Sequence, residues 1–229
     1  MNNIVIGIEG LVGSGKTSIC KELLKYIPNS IILHGGNLYR AIIYALMHNG
    51  KAIDVGNLKE NIKNIDIKQL MDKLKVDLRI ENSESVMYVD GLKIDDEKLQ
   101  SKDTSLAVSI AGKNADSSHM YVFAKNLIDM YKEKYNVIVS GRDLMRIYPN
   151  LDYHLFITAS LDERVRRKMI QYGKEANVKE IRDNIEKRDK LQQESGYYDI
   201  YNNTIKIDVT ECKDVEESTK KVLSHIKLN

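Results

Sequence analysis

The chain has 229 residues, 42% of them hydrophobic and 30% charged, with 35 basic against 33 acidic side chains and a net charge of +2. That supplies a sizeable core, as one domain or one domain with an insert, and excludes the strongly basic balance of a nucleic-acid or membrane-surface binder. No apolar run approaches membrane-spanning length, and Cys20 and Cys212 are too far apart for a metal or redox spacing. The expectation is a cytoplasmic protein with reduced thiols. A strand pattern begins by Ile4, so no signal peptide is expected.

The first element is the apolar run Ile4-Val5-Ile6-Gly7-Ile8, which reads as a buried strand. It leads into Gly10-Leu11-Val12-Gly13-Ser14-Gly15-Lys16-Thr17 and then into a helical pattern through Leu24. Strand, glycine loop and helix in that order carry the G-x-x-x-x-G-K-[ST] spacing of a P-loop. Glycines let successive backbone N–H groups turn inward around a phosphate, and the following helix adds its positive N-terminal end. The candidate ATP-binding residues are therefore Gly10, Gly13, Ser14, Gly15, Lys16, Thr17 and Ser18. Lys16 is the point charge for the β- and γ-phosphates, and the Thr17 hydroxyl is the candidate ligand for Mg²⁺.

Ser30-Ile31-Ile32-Leu33 reads as a second buried strand, broken at His34-Gly35-Gly36-Asn37, and Leu38–Leu46 has helical periodicity. This is the opening of a doubly wound parallel sheet, with a crevice for a second ligand at the carboxyl ends of its strands. Tyr39 and Arg40 are candidates to face it. From Asn57 the pattern changes. Helical segments at Leu58–Ile62 and Ile67–Leu74 precede two alternating runs, Val76–Ile80 and Val86–Val89. The Glu81–Ser85 stretch reads as a hairpin loop and Asp90-Gly91 as a second turn. A small antiparallel patch in an α/β chain implies an inserted subdomain at about residues 57–116, rather than a continuation of the sheet. Helical stretches at Asp103–Ala111 and Ser117–Tyr131 lead back to a core of about 1–56 and 117–229.

Val137-Ile138-Val139 is the third core strand and ends in Ser140-Gly141-Arg142-Asp143. The strand His154–Thr158, helices at Leu161–Tyr172 and about Val178–Glu194, the strand Thr204–Asp208 and a helix from Asp214 complete the chain. The expected fold is α/β, a P-loop NTPase with a five-stranded parallel sheet flanked by helices, an inserted α+β subdomain and an arginine-bearing lid at about 161–195. Runs such as Glu163-Arg164-Val165-Arg166-Arg167-Lys168 are usually solvated helix faces. Beside a P-loop they have a further use, since planar guanidinium forks neutralise a moving phosphoryl group bidentately.

With these pieces in order, the chain resembles bacterial cytidylate kinases over nearly its full length. The P-loop at Gly10–Thr17 matches, as do the acceptor-side pair Tyr39 and Arg40, the insert around Val76–Gly91, and Ser109 on the helix after it. So do Gly141-Arg142-Asp143, the A-S-x-x-x-R-x-x-R pattern at Ala159-Ser160 with Arg164 and Arg167, and Arg188-Asp189. The resemblance implies a nucleoside monophosphate kinase of pyrimidine nucleotide metabolism that transfers the γ-phosphoryl group of ATP to CMP or dCMP with Mg²⁺. It implies Lys16, Arg142, Arg164 and Arg167 as catalytic groups. It places Tyr39, Arg40, Ser109, Arg142, Asp143, Arg188 and Gln192 at the acceptor, and the Val209-Thr210-Glu211 loop near the adenine. The expected partners are ATP and a nucleoside monophosphate, with no nucleic acid and no membrane, and the expected state is a monomer.

The sequence departs from the family in the acceptor crevice. His34-Gly35-Gly36 stands where the family usually has Asp-Ser-Gly, and Ser140 where it has Asp. No arginine falls near Ser118-His119, and the pattern R-D-x-x-D-x-x-R ends here on Gln192 and Ser195. Phosphate chemistry is kept more fully than base and sugar reading. Two further readings follow: a kinase of this fold acting on another nucleotide or small metabolite, and a nucleotide-binding protein that has lost turnover.

Overall fold

The structure, a computed structural model, describes residues 3–48, 75–99, 101, 104, 118–173 and 177–227. The chain forms two compact units, Met1–Ile32 with Tyr131–Asn229, and Leu33–Met130.

In the first unit, β1 (Val5–Gly10) pairs in parallel with β6 (Asn136–Ser140) and with β7 (Tyr153–Thr158), and β7 pairs in parallel with β8 (Thr204–Asp208). β2 (Ser30–His34) flanks β6, so the order is β2-β6-β1-β7-β8. All five expected core strands form. β1 is buried along its whole length, as expected for a central strand covered on both faces. Helices α1 (Lys16–Leu23), α5 (Leu144–Ile147), α6 (Leu161–Tyr172), α7 (Val178–Glu194) and α8 (Val215–Leu223) belong to this unit. Ile6, Ile8, Ile19, Leu23, Ile138, Leu155, Ile157 and Val222 share one core, which also takes up Cys20 and Cys212. Both cysteines are buried and free.

The second unit holds α2 (Gly35–His48), β3 (Asp77–Glu81), β4 (Glu84–Val89), β5 (Leu92–Lys93), α3 (Asp96–Leu99) and most of α4 (Ser118–Lys132). Beyond the five core strands, the two runs expected in the insert form β3 and β4, and β5 is one more, so eight strands form among the described residues. The reason is turn chemistry. Asn82 and Ser83 (φ 50° and 65°) and Asp90 and Gly91 (φ 50° and 78°) are consecutive left-handed pairs. Such pairs build two-residue hairpin turns whose twist matches the flanking strands. The expected loop at Glu81–Ser85 thus closes between Glu81 and Glu84, and Asp90-Gly91 adds β5 through the pair Val89–Leu92. Within this unit, Ser85 Oγ in β4 accepts the backbone N–H of His34 at 2.8 Å. The break expected at Gly35-Gly36-Asn37 is instead the first turn of α2. The helices expected at Leu58–Ile62 and Ile67–Leu74 lie outside the described residues, as does Asp103–Ala111 except for Thr104. Among the described residues, no helix is long and apolar enough to cross a membrane.

Gly10 ends β1 at φ 145°, where a Cβ would stand 2.1 Å from the Ile157 carbonyl oxygen. The close β1–β7 approach that opens the glycine loop requires a residue without a side chain. Gly10→Ala is expected to cost at least about 2 kcal/mol in thermal unfolding, the scale of a strained backbone combined with a backbone clash. An unshifted melting temperature would remove this constraint.

Candidate active site

The loop between β1 and α1 turns at Gly13 (φ 78°) and Gly15 (φ 96°). Lys16 Nζ folds back and donates to the carbonyls of Gly10 (2.8 Å) and Leu11 (2.9 Å). Burial first, and then the Arg142 and Arg188 charges, hold its ammonium well below the usual lysine range. The ammonium is enclosed although the residue as a whole stays partly exposed. Ser14 is fully buried, and its hydroxyl has no hydrogen-bond partner among the described residues. Thr17 and Ser18 are exposed on the first turn of α1.

Arg142 arrives from the loop after β6. Its Nη1 donates to the Gly10 carbonyl at 2.8 Å, and its Nε donates to Gln192 Oε1. The guanidinium lies 5.6 Å from the Tyr198 ring centroid, and burial pushes its pKa below the usual arginine range. Arg188, on α7, is exposed, and its charge is felt by both Lys16 and Arg142. Asp143 is buried at φ 58°, opens α5, and lies 3.4 Å from Arg146 Nε.

The lid helices pack on this loop, with Val12 sharing a small apolar cluster with Val165, Ile181 and Ile185. Arg164 is 6% exposed and donates to the Val12 carbonyl at 3.1 Å and to Asp189. Arg167 donates to the Ser14 carbonyl at 2.9 Å and the Val209 carbonyl at 2.8 Å. Ser160 caps α6 by accepting the Glu163 N–H, so the helix that carries these arginines starts at a fixed point.

Lys16, Arg142, Arg164, Arg167, Gln192 and the charge of Arg188 therefore meet at Gly10, Gly13, Ser14 and Gly15. Tyr39 and Arg40 stand on α2, in the second unit. Ser109 lies outside the described residues. Two carboxylates with structural weight have no part in the sequence-based site. Asp189 accepts from the Val12 N–H (3.2 Å), the Tyr198 hydroxyl (2.6 Å) and Arg164, joining loop and lid. Glu163 accepts two bonds from Arg166 (2.7 and 2.8 Å) and one from Arg167 Nε (2.7 Å). The signal for Glu163 was its three- and four-residue spacing to those arginines on one helix. For Asp189 it was the adjacency to Arg188, which names the residue but not its partners.

β1, the glycine loop and the lid define a P-loop α/β protein of the nucleotide-kinase class. The cytidylate kinase family model matches residues 6–228, and the chain belongs to that family. It is 29% identical over 234 residues to a cytidylate kinase from Clostridioides difficile, covering 100% of both chains. Identity is 24% to one from Halalkalibacterium halodurans and 27% to one from Alkaliphilus oremlandii, each over 99% of both chains. A solved shikimate kinase from Bacteroides thetaiotaomicron aligns with 98% of this chain and 99% of its own at 15% identity and a TM-score of 0.45.

Hydrogen bonds from Arg166, and then from Arg167, bring the Glu163 carboxyl from 4.5 to about 2. A carboxyl whose folded pKa is depressed stabilises the fold fully above its unfolded pKa and loses that contribution as pH falls through the folded value. Glu163→Gln is therefore expected to destabilise the protein at neutral pH, with the difference from wild type closing between pH 4.5 and about 2. Urea titrations at several pH values check this. A pH-independent difference would mean that Glu163 acts through packing.

Proposed function

We propose that this chain is a nucleoside monophosphate kinase that transfers the γ-phosphoryl group of ATP to CMP or dCMP. One observation carries the reading: Lys16, Arg142, Arg164 and Arg167, from three separate parts of the chain, all donate to carbonyls of the loop at Gly10, Leu11, Val12 and Ser14. Arg164 and Arg167 also have carboxylate partners in Asp189 and Glu163, but Lys16 and Arg142 have only neutral acceptors, and a polyphosphate offers formal charge at the same place. The relatives' own description as cytidylate kinases supports the choice of acceptor class.

In this reading Lys16 serves the β- and γ-phosphates, Arg164 and Arg167 bridge donor and acceptor, and Arg142, Arg188 and Arg40 hold the acceptor's α-phosphate. Tyr39, Ser109, Asp143 and Gln192 complete the acceptor site. No side-chain base is required, because the acceptor phosphate oxygen is already anionic at neutral pH. The protein's part is positioning and charge stabilisation. Packed lid helices keep water away, so that transfer is favoured over hydrolysis. The residues present also fit Mg²⁺. The Thr17 hydroxyl is exposed and makes no hydrogen bond among the described residues. Among those residues no cluster of three or more His, Cys, Asp or Glu is suited to a metal, so the ion would take Thr17, phosphate oxygens and water. When bound, it neutralises charge on the β- and γ-phosphates.

Recognition of the base is thinner. Gln192 Oε1 is engaged by Arg142, and the Ser195 hydroxyl donates to its own helix at Leu191 (2.8 Å). Each missing polar reader weakens rejection of a wrong acceptor by roughly 1–3 kcal/mol. In a coupled ADP-release assay over CMP, dCMP, UMP and AMP with a no-acceptor control, CMP is expected to be best. Its kcat/KM is expected to exceed that of UMP by less than about a thousandfold. A larger ratio would contradict this account of the crevice, and turnover with none of the four would assign it another molecule.

Arg167→Ala is expected to lower kcat by about 10²–10³ while changing the ATP KM little, as removal of a charge stabiliser does. A change confined to KM would make Arg167 a ground-state binder and refute its role in transfer.

A further inference from the structure

Beneath the glycine loop lies a buried acid–imidazole pair that the phosphate chemistry above does not use. Glu9, at 2% exposure, ends β1 one residue before the loop, and His154, at 1%, lies on the adjacent strand β7. Buried ionisable groups are costly unless their polar atoms are matched, and the contacts here run in one direction. The Tyr201 N–H donates to Thr204 Oγ1 at 2.9 Å. Thr204 Oγ1 stands 2.8 Å from His154 Nδ1. Nδ1 is the one further partner of that hydroxyl among the described residues, and with the hydroxyl proton given to Nδ1 a neutral ring carries its own on Nε2. His154 Nε2 has no hydrogen-bond partner among the described residues and lies 3.6 Å from Glu9 Oε2. The other oxygen, Glu9 Oε1, accepts the Leu144 N–H at 2.5 Å.

Leu144 opens α5 two residues after Arg142, and Arg142 donates to the carbonyl of Gly10, the residue next to Glu9. One carboxylate thus faces a ring N–H with one oxygen and the arginine-bearing loop with the other. A carboxylate presents an acceptor oxygen to each side, bonded at Leu144 and 3.6 Å from Nε2 at His154, where a Gln would set its NH₂ against one of them. The Glu9 charge also favours the cationic forms of Lys16 and Arg142.

We propose that Glu9 and His154 are positioning residues: the series Tyr201, Thr204, His154, Glu9 fixes the Leu144 amide and thereby sets where the Arg142 guanidinium stands over the P-loop. The kinetic consequence rests on the proposed kinase function; the structural one does not.

Glu9→Gln tests both. The Gln amide sets an NH₂ group against either His154 Nε2–H or the Leu144 N–H. By NMR of the full chain, ¹⁵N shifts of His154 should report the Nε2–H tautomer in wild type. In Glu9→Gln, hydrogen exchange at the Leu144 amide and Arg142 Nε–H should speed up about tenfold or more, with the β1 and β7 amides unchanged. Unchanged exchange at Arg142 Nε–H would overturn the proposal, and so would an Nδ1–H tautomer in wild type. If wild type phosphorylates a nucleotide, Glu9→Gln should lower kcat about tenfold with little change in the ATP KM. Adding it to Arg142→Ala should then cost nothing further. Additive losses would mean that Glu9 does not act through Arg142. If wild type phosphorylates nothing, the kinase reading fails and the exchange measurements still decide the relay. Should Glu9→Gln not fold, Thr204→Val removes the hydroxyl that sets the tautomer at a partly buried position. Mixed His154 tautomers and faster Leu144 exchange are expected, and wild-type behaviour of both would refute the relay.

Discussion

The carbonyl oxygen of Gly10 accepts from two cations at once, Lys16 Nζ and Arg142 Nη1, each at 2.8 Å. Like charges brought to one oxygen repel, and burial makes the repulsion worse because less water screens it. Both groups sit below their usual pKa ranges, with burial the largest cause for each, joined by the Arg142 charge at Lys16 and by the Arg188 charge at Arg142. The fold sustains this because the two cations come from elements fixed elsewhere, α1 and the β6–α5 loop, and because Glu9 is the very next residue. An arriving anion relieves that repulsion. Affinity for phosphate is in this sense stored in the protein before any ligand binds.

The lid belongs to the same balance. Arg164 has Asp189 as an ion-pair partner, while the same carboxylate accepts the Val12 N–H and the Tyr198 hydroxyl. Asp189 therefore neutralises one lid arginine and ties α7 to the loop in a single contact. Removing one member of a largely buried pair leaves the other uncompensated, which makes such a junction stiff. Arg167 is held differently: Glu163 orients its Nε from the same helix, and its two outer nitrogens reach the carbonyls of Ser14 and Val209. One guanidinium is locked in place by charge, whereas the other is aimed from behind with its outer nitrogens on neutral acceptors.

How much of this was legible in the sequence follows from the range of each signal. The five core strands and the P-loop were legible because a buried apolar run and a glycine spacing are local patterns. The first hairpin was read with too long a loop, because left-handed φ at Asn82 and Ser83 is invisible in composition, and the Asp90-Gly91 turn was read without the two-residue strand that follows it. Gly35-Gly36 looked like a break, but the cost of glycine is that of a helix interior and these two stand in the first turn, so α2 begins at Gly35. In the site, Lys16 could be named from the P-loop spacing, and Arg142, Arg164 and Arg167 from the resemblance to the family. Their partners could not, because those contacts cross long sequence separations: Val12 to Asp189, Glu9 to Leu144, His154 to Thr204.

The departures from the family pattern also acquire a physical meaning. Where the family usually carries a carboxylate, Gln192 offers Arg142 only an amide oxygen. A carboxylate would neutralise Arg142, whereas a neutral amide orients it and leaves its charge for a ligand. The same exchange removes an acceptor oxygen that a base or sugar would read, and Ser195, whose hydroxyl is engaged by Leu191, does not replace the lost arginine. The two effects have opposite consequences. In the proposed kinase reading, attraction for a phosphate is kept while the hydrogen-bond matching that would tell one nucleoside from another is reduced. In that reading the site takes its affinity from the phosphate and leaves its selectivity to shape.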